Sequence, residues 1–122
     1  MKLTNQEIYN YAVALNNTFS DASQKLPVKV NFYLQKNKTA LTTLAQDIDA
    51  ARLEIIRNYG ELNEESSSYV IPKEKVAEAQ KELTDLFTLT QDVNIYTINI
   101  DSLSDDITLT TGQMEAIMFM ID

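Results

Sequence analysis

A chain of 122 residues is long enough for one modest core, and we expect a single domain over residues 1–122. Histidine and cysteine are both absent, which excludes thiol catalysis, serine–histidine triads, disulfide frameworks and the common zinc and heme sites. The net charge of −8 is unevenly divided: residues 1–60 carry seven Lys and Arg against five Asp and Glu, and residues 61–122 carry three against thirteen. Because phosphate binding depends on clustered cations, direct nucleic-acid binding is disfavoured.

The chain has two glycines and no long apolar run. So few glycines disfavour tight turns and phosphate-binding glycine loops, and favour long helices joined by polar turns. No stretch approaches the roughly 20 apolar residues that cross a bilayer, and the N-terminus lacks the apolar core of a secretory signal. We therefore expect an intracellular protein without membrane contact.

The first predicted element is a helix over about residues 4–19. Thr4 and Glu7 have the spacing of a capping box, in which each side chain satisfies a free backbone N–H at the helix start. One helical stripe follows at intervals of three and four residues, formed by Ile8, Tyr11, Ala12, Leu15 and Phe19.

Residues 26–34 fit two patterns. Their alternating β-branched and apolar residues are typical of a strand, whereas Pro27 is also suited to the first turn of a helix. The following residues favour one long helix over about 28–59, with Gly60 as its C-cap. Its heptad-like seam has gaps of three and four and consists of Leu34, Asn37, Leu41, Leu44, Ile48, Ala51, Ile55 and Tyr59. The polar Asn37 either fixes register or oligomeric state, as such residues do in coiled coils, or marks where the helix leaves the core.

The second half of the sequence alternates β-type and helical patterns. Residues 61–68 predict a polar, acidic loop, residues 69–71 a short edge strand, and Pro72 opens a third helix over about 72–90. The sequence VNIYTINI, residues 93–100, is rich in β-branched side chains and predicts a strand. We expect strands 69–71 and 93–100 to pair antiparallel, because an isolated strand leaves its backbone groups unsatisfied.

A final helix begins near Thr110 or Thr111, where Thr110 and Gln113 form a second capping-box pattern. Its buried face is predicted to consist of Met114, Ile117, Met118 and Ile121. The predicted fold is α+β and mostly helical: one long helix with a heptad-like seam, two or three further helices and a small antiparallel two-stranded ribbon.

The densest acidic run contains Asp101, Asp105 and Asp106. One interpretation is a turn, because Asp and Ser side chains hydrogen-bond to their own backbone there. A calcium loop is disfavoured, since the run lacks the mid-loop glycine and the closing glutamate. The remaining interpretation is an acidic contact patch for a protein partner.

The C-terminal helix carries the apolar run Met118 to Ile121. Phe119 and Met120 lie off the predicted buried stripe, so this run either inserts into the core or covers a partner. Methionine is common on adaptable binding surfaces, which keeps the second interpretation open. We therefore count Phe119 and Met120 with the three aspartates as candidate partner-binding residues.

Several stretches together resemble small proteins of tailed bacteriophages that are grouped as a family of unknown function. They are MKLTNQEIYNY, LPVKVNFYLQKN, IDAARLEIIRNYG, YVIPKEKVAEAQKEL, DVNIYTINIDSL and LTTGQMEAIMFMID, and they cover most of the chain. The resemblance implies a phage origin, and with it the host cytoplasm as the place of action. It adds no catalytic residue, because the shared stretches carry no chemical motif.

These observations favour a non-enzymatic phage accessory protein that acts through contacts with a protein of host or phage origin. No catalytic residue, cofactor site or metal site is predicted. The alternative is an acidic inhibitor that mimics nucleic acid and blocks a basic surface of a host or defence protein, although the acidic half is also explained by solubility. An enzyme that uses carboxylates alone is the third class, disfavoured because so small a domain with few loops offers little room for a cleft.

Overall fold

The computed structural model describes residues 1–19, 26–103 and 107–122. Four helices and two small antiparallel sheets make up these residues. The mostly helical α+β fold predicted from the sequence is confirmed. Within the described residues, no helix is long and apolar enough to cross a membrane.

Strand β1, Lys2–Thr4, leads directly into helix α1, Asn5–Thr18. The predicted capping box is present: the Glu7 backbone N–H donates to Thr4 Oγ1 at 3.1 Å, and the Thr4 N–H donates to Glu7 Oε1 at 3.0 Å. The face of α1 that enters the core consists of Asn5, Ile8, Ala12 and Leu15.

Helix α2, Val28–Tyr59, is 32 residues long, which corresponds to about 48 Å at 1.5 Å per residue. Pro27 precedes its first turn, so the helical interpretation of residues 26–34 is correct and the strand interpretation is wrong. The buried positions are Val30, Leu34, Asn37, Leu41 and Ile48, which follow the heptad-like seam. Leu44 and Ile55 of the predicted seam are only half-buried.

Gly60 is the C-cap of α2, at a position where a side chain would be crowded. Its backbone N–H donates to the Ile56 carbonyl at 2.7 Å. A Cβ atom at this position would lie 2.6 Å from the Ile56 carbonyl oxygen and 3.2 Å from Cβ of Tyr69. The absence of a side chain therefore lets Tyr69 lie close to the end of the helix.

Strands β2, Glu61–Asn63, and β3, Ser68–Val70, form an antiparallel hairpin with Leu62 opposite Tyr69. The prediction of a loop over 61–68 is thus wrong at its first residues, and the predicted pairing of 69–71 with 93–100 is wrong. A partner seven residues away closes a much shorter loop than one more than twenty residues away, so the local pairing costs less entropy. Ser67 has a positive φ of 56° in the turn.

A short 3₁₀ turn, Lys73–Lys75, precedes helix α3, Val76–Thr88, and strand β4, Thr90–Asp92, follows it. Strand β4 pairs antiparallel with β1. This sheet was not predicted from the sequence. Asn5 gives this sheet additional support. Its Nδ2 donates to the Leu86 carbonyl at 2.8 Å, and its Oδ1 accepts from Gln91 Nε2 at 2.7 Å.

Residues 93–99 have no helix assignment and do not form the predicted strand, and Ile100 begins a 3₁₀ turn. An isolated parallel bridge joins Ile98 to Ile121. Asn37 satisfies the backbone of Tyr96: its Oδ1 accepts from the Tyr96 N–H at 2.8 Å and its Nδ2 donates to the Tyr96 carbonyl at 2.9 Å. Asn37 is fully buried, so it fixes packing and does not mark the end of the core.

Helix α4, Thr111–Ile117, begins with the predicted Thr110 and Gln113 capping box. A 3₁₀ turn, Met118–Met120, continues it. The predicted buried face is wrong at this point, because three residues per turn rotate the side chains away from the α-helical positions. Met120 is fully buried, whereas 64% of Met118 is exposed.

Candidate functional site

The structure does not assemble the three predicted aspartates into a site. Asp101 lies exposed in the 3₁₀ turn Ile100–Ser102, and its backbone N–H donates to Asn99 Oδ1 at 3.0 Å. This geometry agrees with the turn interpretation for Asp101. Asp105 and Asp106 lie outside the described residues.

Met120 belongs to the core, which corrects its place among the candidate partner-binding residues. Its side chain is fully buried, and Asn37 Nδ2 lies 3.4 Å from its sulfur. Phe119 is half-buried, and its ring stacks on that of Tyr11 with centroids 4.3 Å apart and planes 8° from parallel. Tyr11 therefore covers one face of the Phe119 ring.

Two surfaces at opposite ends of α2 combine exposed apolar side chains with charge. The first is the acidic hairpin surface, defined by Glu61, Leu62, Glu64, Glu65, Tyr69 and Val70. Leu62, Tyr69 and Val70 are 56%, 42% and 55% exposed, although they are large and apolar or aromatic. Every residue from 61 to 70 is exposed, so the hairpin lies outside the core.

The base of the acidic hairpin surface is tied to α3. Desolvation raises the pKa of the Tyr59 phenol, and its hydrogen bond to the Glu82 carboxylate and the charges of Glu82 and Glu78 raise it further. Tyr59 is the last residue of α2. This contact holds the end of α2 against α3, and the close approach of Gly60 to Tyr69 fixes the direction in which the hairpin leaves the helix.

The second surface is a cation–aromatic cluster formed by Lys29, Phe32, Tyr33, Lys36 and Tyr96. The Phe32 and Tyr33 ring centroids are 6.1 Å apart, and those of Tyr33 and Tyr96 are 5.3 Å apart. Lys29 Nζ lies 5.6 Å from the Tyr33 centroid and Lys36 Nζ lies 5.4 Å from the Phe32 centroid. The members thus form one connected surface, and more than half of Phe32 is exposed.

The cluster depends on the buried amide of Asn37. Tyr96 lies in the segment of residues 93–99, and its two backbone hydrogen bonds with Asn37 fix that segment against α2. The ring of Tyr96 is thereby placed beside Tyr33, one helical turn before Asn37. A single buried polar residue therefore links the core to this surface.

Two concave regions in the described part of the chain have mostly uncharged linings. An open groove of about 300 Å³ between α1 and α2 contains one charged group, Asp49, whose carboxylate pairs with Arg52 at 2.8 Å. A small pocket in the core has only apolar side chains in its lining, among them Leu34, Ile98 and Met120. Among the described residues, no three acidic side chains are grouped as a metal site requires.

Comparison with protein-family models, with curated proteins and with solved structures finds no match for this chain. The resemblance to phage proteins therefore stays a prediction.

Neither surface was predicted, although each has a signal in the sequence. Residues 22–46 contain four lysines and no acidic residue, in a chain with a net charge of −8. Residues 61–70 place three glutamates among Leu62, Tyr69 and Val70. The first signal is lost when charge is counted over residues 1–60 as a whole. The second is lost when residues 61–68 are interpreted as a loop.

Proposed function

We propose that this chain is a non-enzymatic interaction protein that acts through protein–protein contacts. The observation that supports it is the acidic hairpin surface, where Leu62, Tyr69 and Val70 are exposed beside three glutamates. Exposed apolar groups rimmed by charge are typical of interaction sites, because burying them against a partner is favourable.

The hairpin also has unpaired backbone at its edges. Among the described residues, β2 and β3 pair with each other in a two-stranded sheet, so each strand retains one free edge. A partner segment can bind there by adding a strand, with side-chain contacts supplying specificity. Because Glu61, Glu64 and Glu65 surround the apolar residues, the favoured partner is basic around an apolar centre.

The phage origin and the action in the host cytoplasm are part of this proposal and rest on the sequence resemblance alone. They favour an accessory or assembly factor whose partner is of host or phage origin.

The second candidate is an acidic inhibitor that occupies the nucleic-acid-binding surface of a host or defence protein. Its support is that Glu61, Glu64 and Glu65 are exposed within five residues and form no ion pair in the described part of the chain. Such a row of carboxylates presents negative charge as a phosphate backbone does. Competition by double-stranded DNA for the same partner distinguishes this candidate from an assembly factor.

Site-specific photo-crosslinking tests the proposal. A photoreactive residue at Leu62, in lysate of phage-infected bacteria, is expected to give a discrete adduct with one protein. Val13 provides the matched control, because it is apolar and exposed but lies on α1. The adduct should be lost when Glu64→Lys and Glu65→Lys are introduced into the Leu62 probe. Equal adducts at both positions, or none at Leu62, would contradict the proposal.

A further inference from the structure

We infer that copies of this chain associate head to tail, the cation–aromatic cluster of one copy binding the acidic hairpin surface of the next. This inference rests on the proposed function, because it takes the acidic hairpin surface as a binding surface and names its partner as a second copy.

The lysines of the cluster are free to meet an anionic partner. In the described part of the chain, the ion pair present joins Arg52 and Asp49, and neither Lys29 nor Lys36 pairs with a carboxylate. Both ammonium groups instead lie over aromatic rings. Their nearest acidic neighbours in the sequence are Asp21 and Asp47, so α2 begins as a cationic segment of an otherwise acidic protein.

Among the residues that the structure describes, the glutamates of the acidic hairpin surface form no ion pair either, and this surface, like the cluster, has exposed apolar side chains. Phe32 and Val28 at one end are exposed as Leu62 and Val70 are at the other. Contact between the two surfaces would bury apolar groups on both sides and place lysines opposite glutamates. Such complementarity gives orientation and speeds encounter.

The two surfaces cannot meet within one copy. Lys29 and Tyr59 belong to the same continuous helix and are 30 residues apart, which corresponds to about 45 Å along its axis. Contact between the two surfaces therefore requires two molecules.

Charge restricts how the copies meet. A dimer that pairs each surface with the same surface of the other copy would bring like charges together, glutamates at the hairpin or lysines at the cluster. A contact between the cluster of one copy and the hairpin of another brings opposite charges together. Its repetition in one direction gives a ring or an open filament, whereas an antiparallel pair that makes the contact twice closes at a dimer.

Sedimentation velocity over a concentration series tests this inference. At low salt the wild-type chain should form species larger than the monomer, in amounts that rise with concentration. This association should weaken as salt rises, because exposed charges are screened over about 8 Å at physiological ionic strength. The cluster variant, Lys29→Glu with Lys36→Glu, and the hairpin variant, Glu64→Lys with Glu65→Lys, should each associate at least roughly tenfold more weakly. Circular dichroism should show unchanged helix content, because all four side chains are exposed.

The decisive sample is an equimolar mixture of the two variants. The reversed cluster of one variant is complementary to the reversed hairpin of the other, and the unchanged surfaces are complementary as well, so association should return. Both variants remain net negative, so general attraction between them does not explain a rescue. Matched controls with the same charge changes elsewhere, Glu115→Lys with Asp122→Lys and Lys2→Glu with Lys81→Glu, should associate as the wild type does.

A wild-type chain that stays monomeric, association that ignores salt, or a mixture without rescue would each overturn the inference. If the chain is monomeric while the Leu62 probe captures another protein, this inference fails and the proposed function survives. If the Leu62 probe captures nothing in lysate or at high protein concentration, both fail.

Discussion

The two halves of α2 belong to one continuous helix and yet have different surroundings. Residues 28–48 supply all five buried side chains of α2. The apolar ones among them belong to the core that α2 shares with α1, α4 and residues 93–99. Residues 49–59 supply none, and their far end contacts α3 and the hairpin. The first half holds the fold together, whereas the second half holds the acidic hairpin surface away from the core.

The two halves of α2 also differ in whether their polar groups are buried. The first half contains Asn37, a fully buried amide whose two hydrogen bonds replace strand pairing for Tyr96. In the second half the polar groups are on the surface, including the Asp49–Arg52 pair, and exposed ion pairs contribute little to stability. The two halves should therefore respond very differently to similar substitutions.

The largest difference is expected for leucine truncation. Leu41 is fully buried, so Leu41→Ala should reduce the free energy of unfolding by about 2–5 kcal/mol. Leu53, which is 37% exposed, should lose about 1 kcal/mol or less on the same change. Urea denaturation of both variants measures the difference. Equal losses would show that the second half of α2 is as well packed as the first.

The next effect concerns the asparagines. Asn37→Ala leaves the N–H of Tyr96 without its partner and removes a fully buried amide, and it should cost about 1–3 kcal/mol. Asn58→Ala, at an exposed position of the same helix, should stay within about 0.5 kcal/mol of wild type. Near-ultraviolet circular dichroism should also change for Asn37→Ala, because Tyr96 lies beside Tyr33. An Asn37→Ala variant with the stability of the wild type would show that the amide does not hold residues 93–99 against α2.

The two glycines provide a further matched pair. Gly60→Ala introduces a Cβ only 2.6 Å from a carbonyl oxygen and should destabilise the chain by about 1–3 kcal/mol. The nearest atoms to a Cβ at Gly112, in α4, are 3.8 Å away, so Gly112→Ala should be neutral or stabilise by up to about 1 kcal/mol. Thermal unfolding compares them. A stabilised Gly60→Ala would mean that the hairpin leaves α2 by a different path.

The smallest effect is a dependence of stability on pH that arises from Tyr11, which packs against the core. Burial raises the pKa of the Tyr11 phenol above its ordinary value of 10.0, and the Glu7 charge raises it further. The protonated phenol is thus favoured in the folded chain, so this stability is fully present below pH 10 and is lost as pH rises through the folded pKa. Tyr11→Phe should flatten the decline of urea midpoint above pH 10. An unchanged decline would contradict the assignment to Tyr11.

Much of the helical fold could be predicted because its signals are local. A capping box needs side chains three residues apart, and Pro27 and Gly60 act on the turns beside them. The strand pairings could not be predicted in the same way. Residues 93–100 have β-type composition, but a strand requires a partner, and composition does not say that Asn37 takes that place.

The candidate surfaces were harder still. The sequence pattern placed Met118 on the buried stripe and Met120 off it, because an ideal helix was extended through residues that adopt a 3₁₀ turn, and it left open whether the apolar run enters the core. Exposure at the hairpin follows from how far α2 runs past the core, which depends on the length of α1 and the place of α3.

By itself, the sequence determined the absence of histidine and cysteine chemistry, the uneven charge and the positions of the helices, since these follow from composition and from contacts within a few residues. The tertiary structure decided that Asn37 binds Tyr96, that β1 pairs with β4 and that charged, partly apolar surfaces lie at both ends of α2. These features join residues tens of positions apart, and which distant groups meet is set by packing of the whole chain.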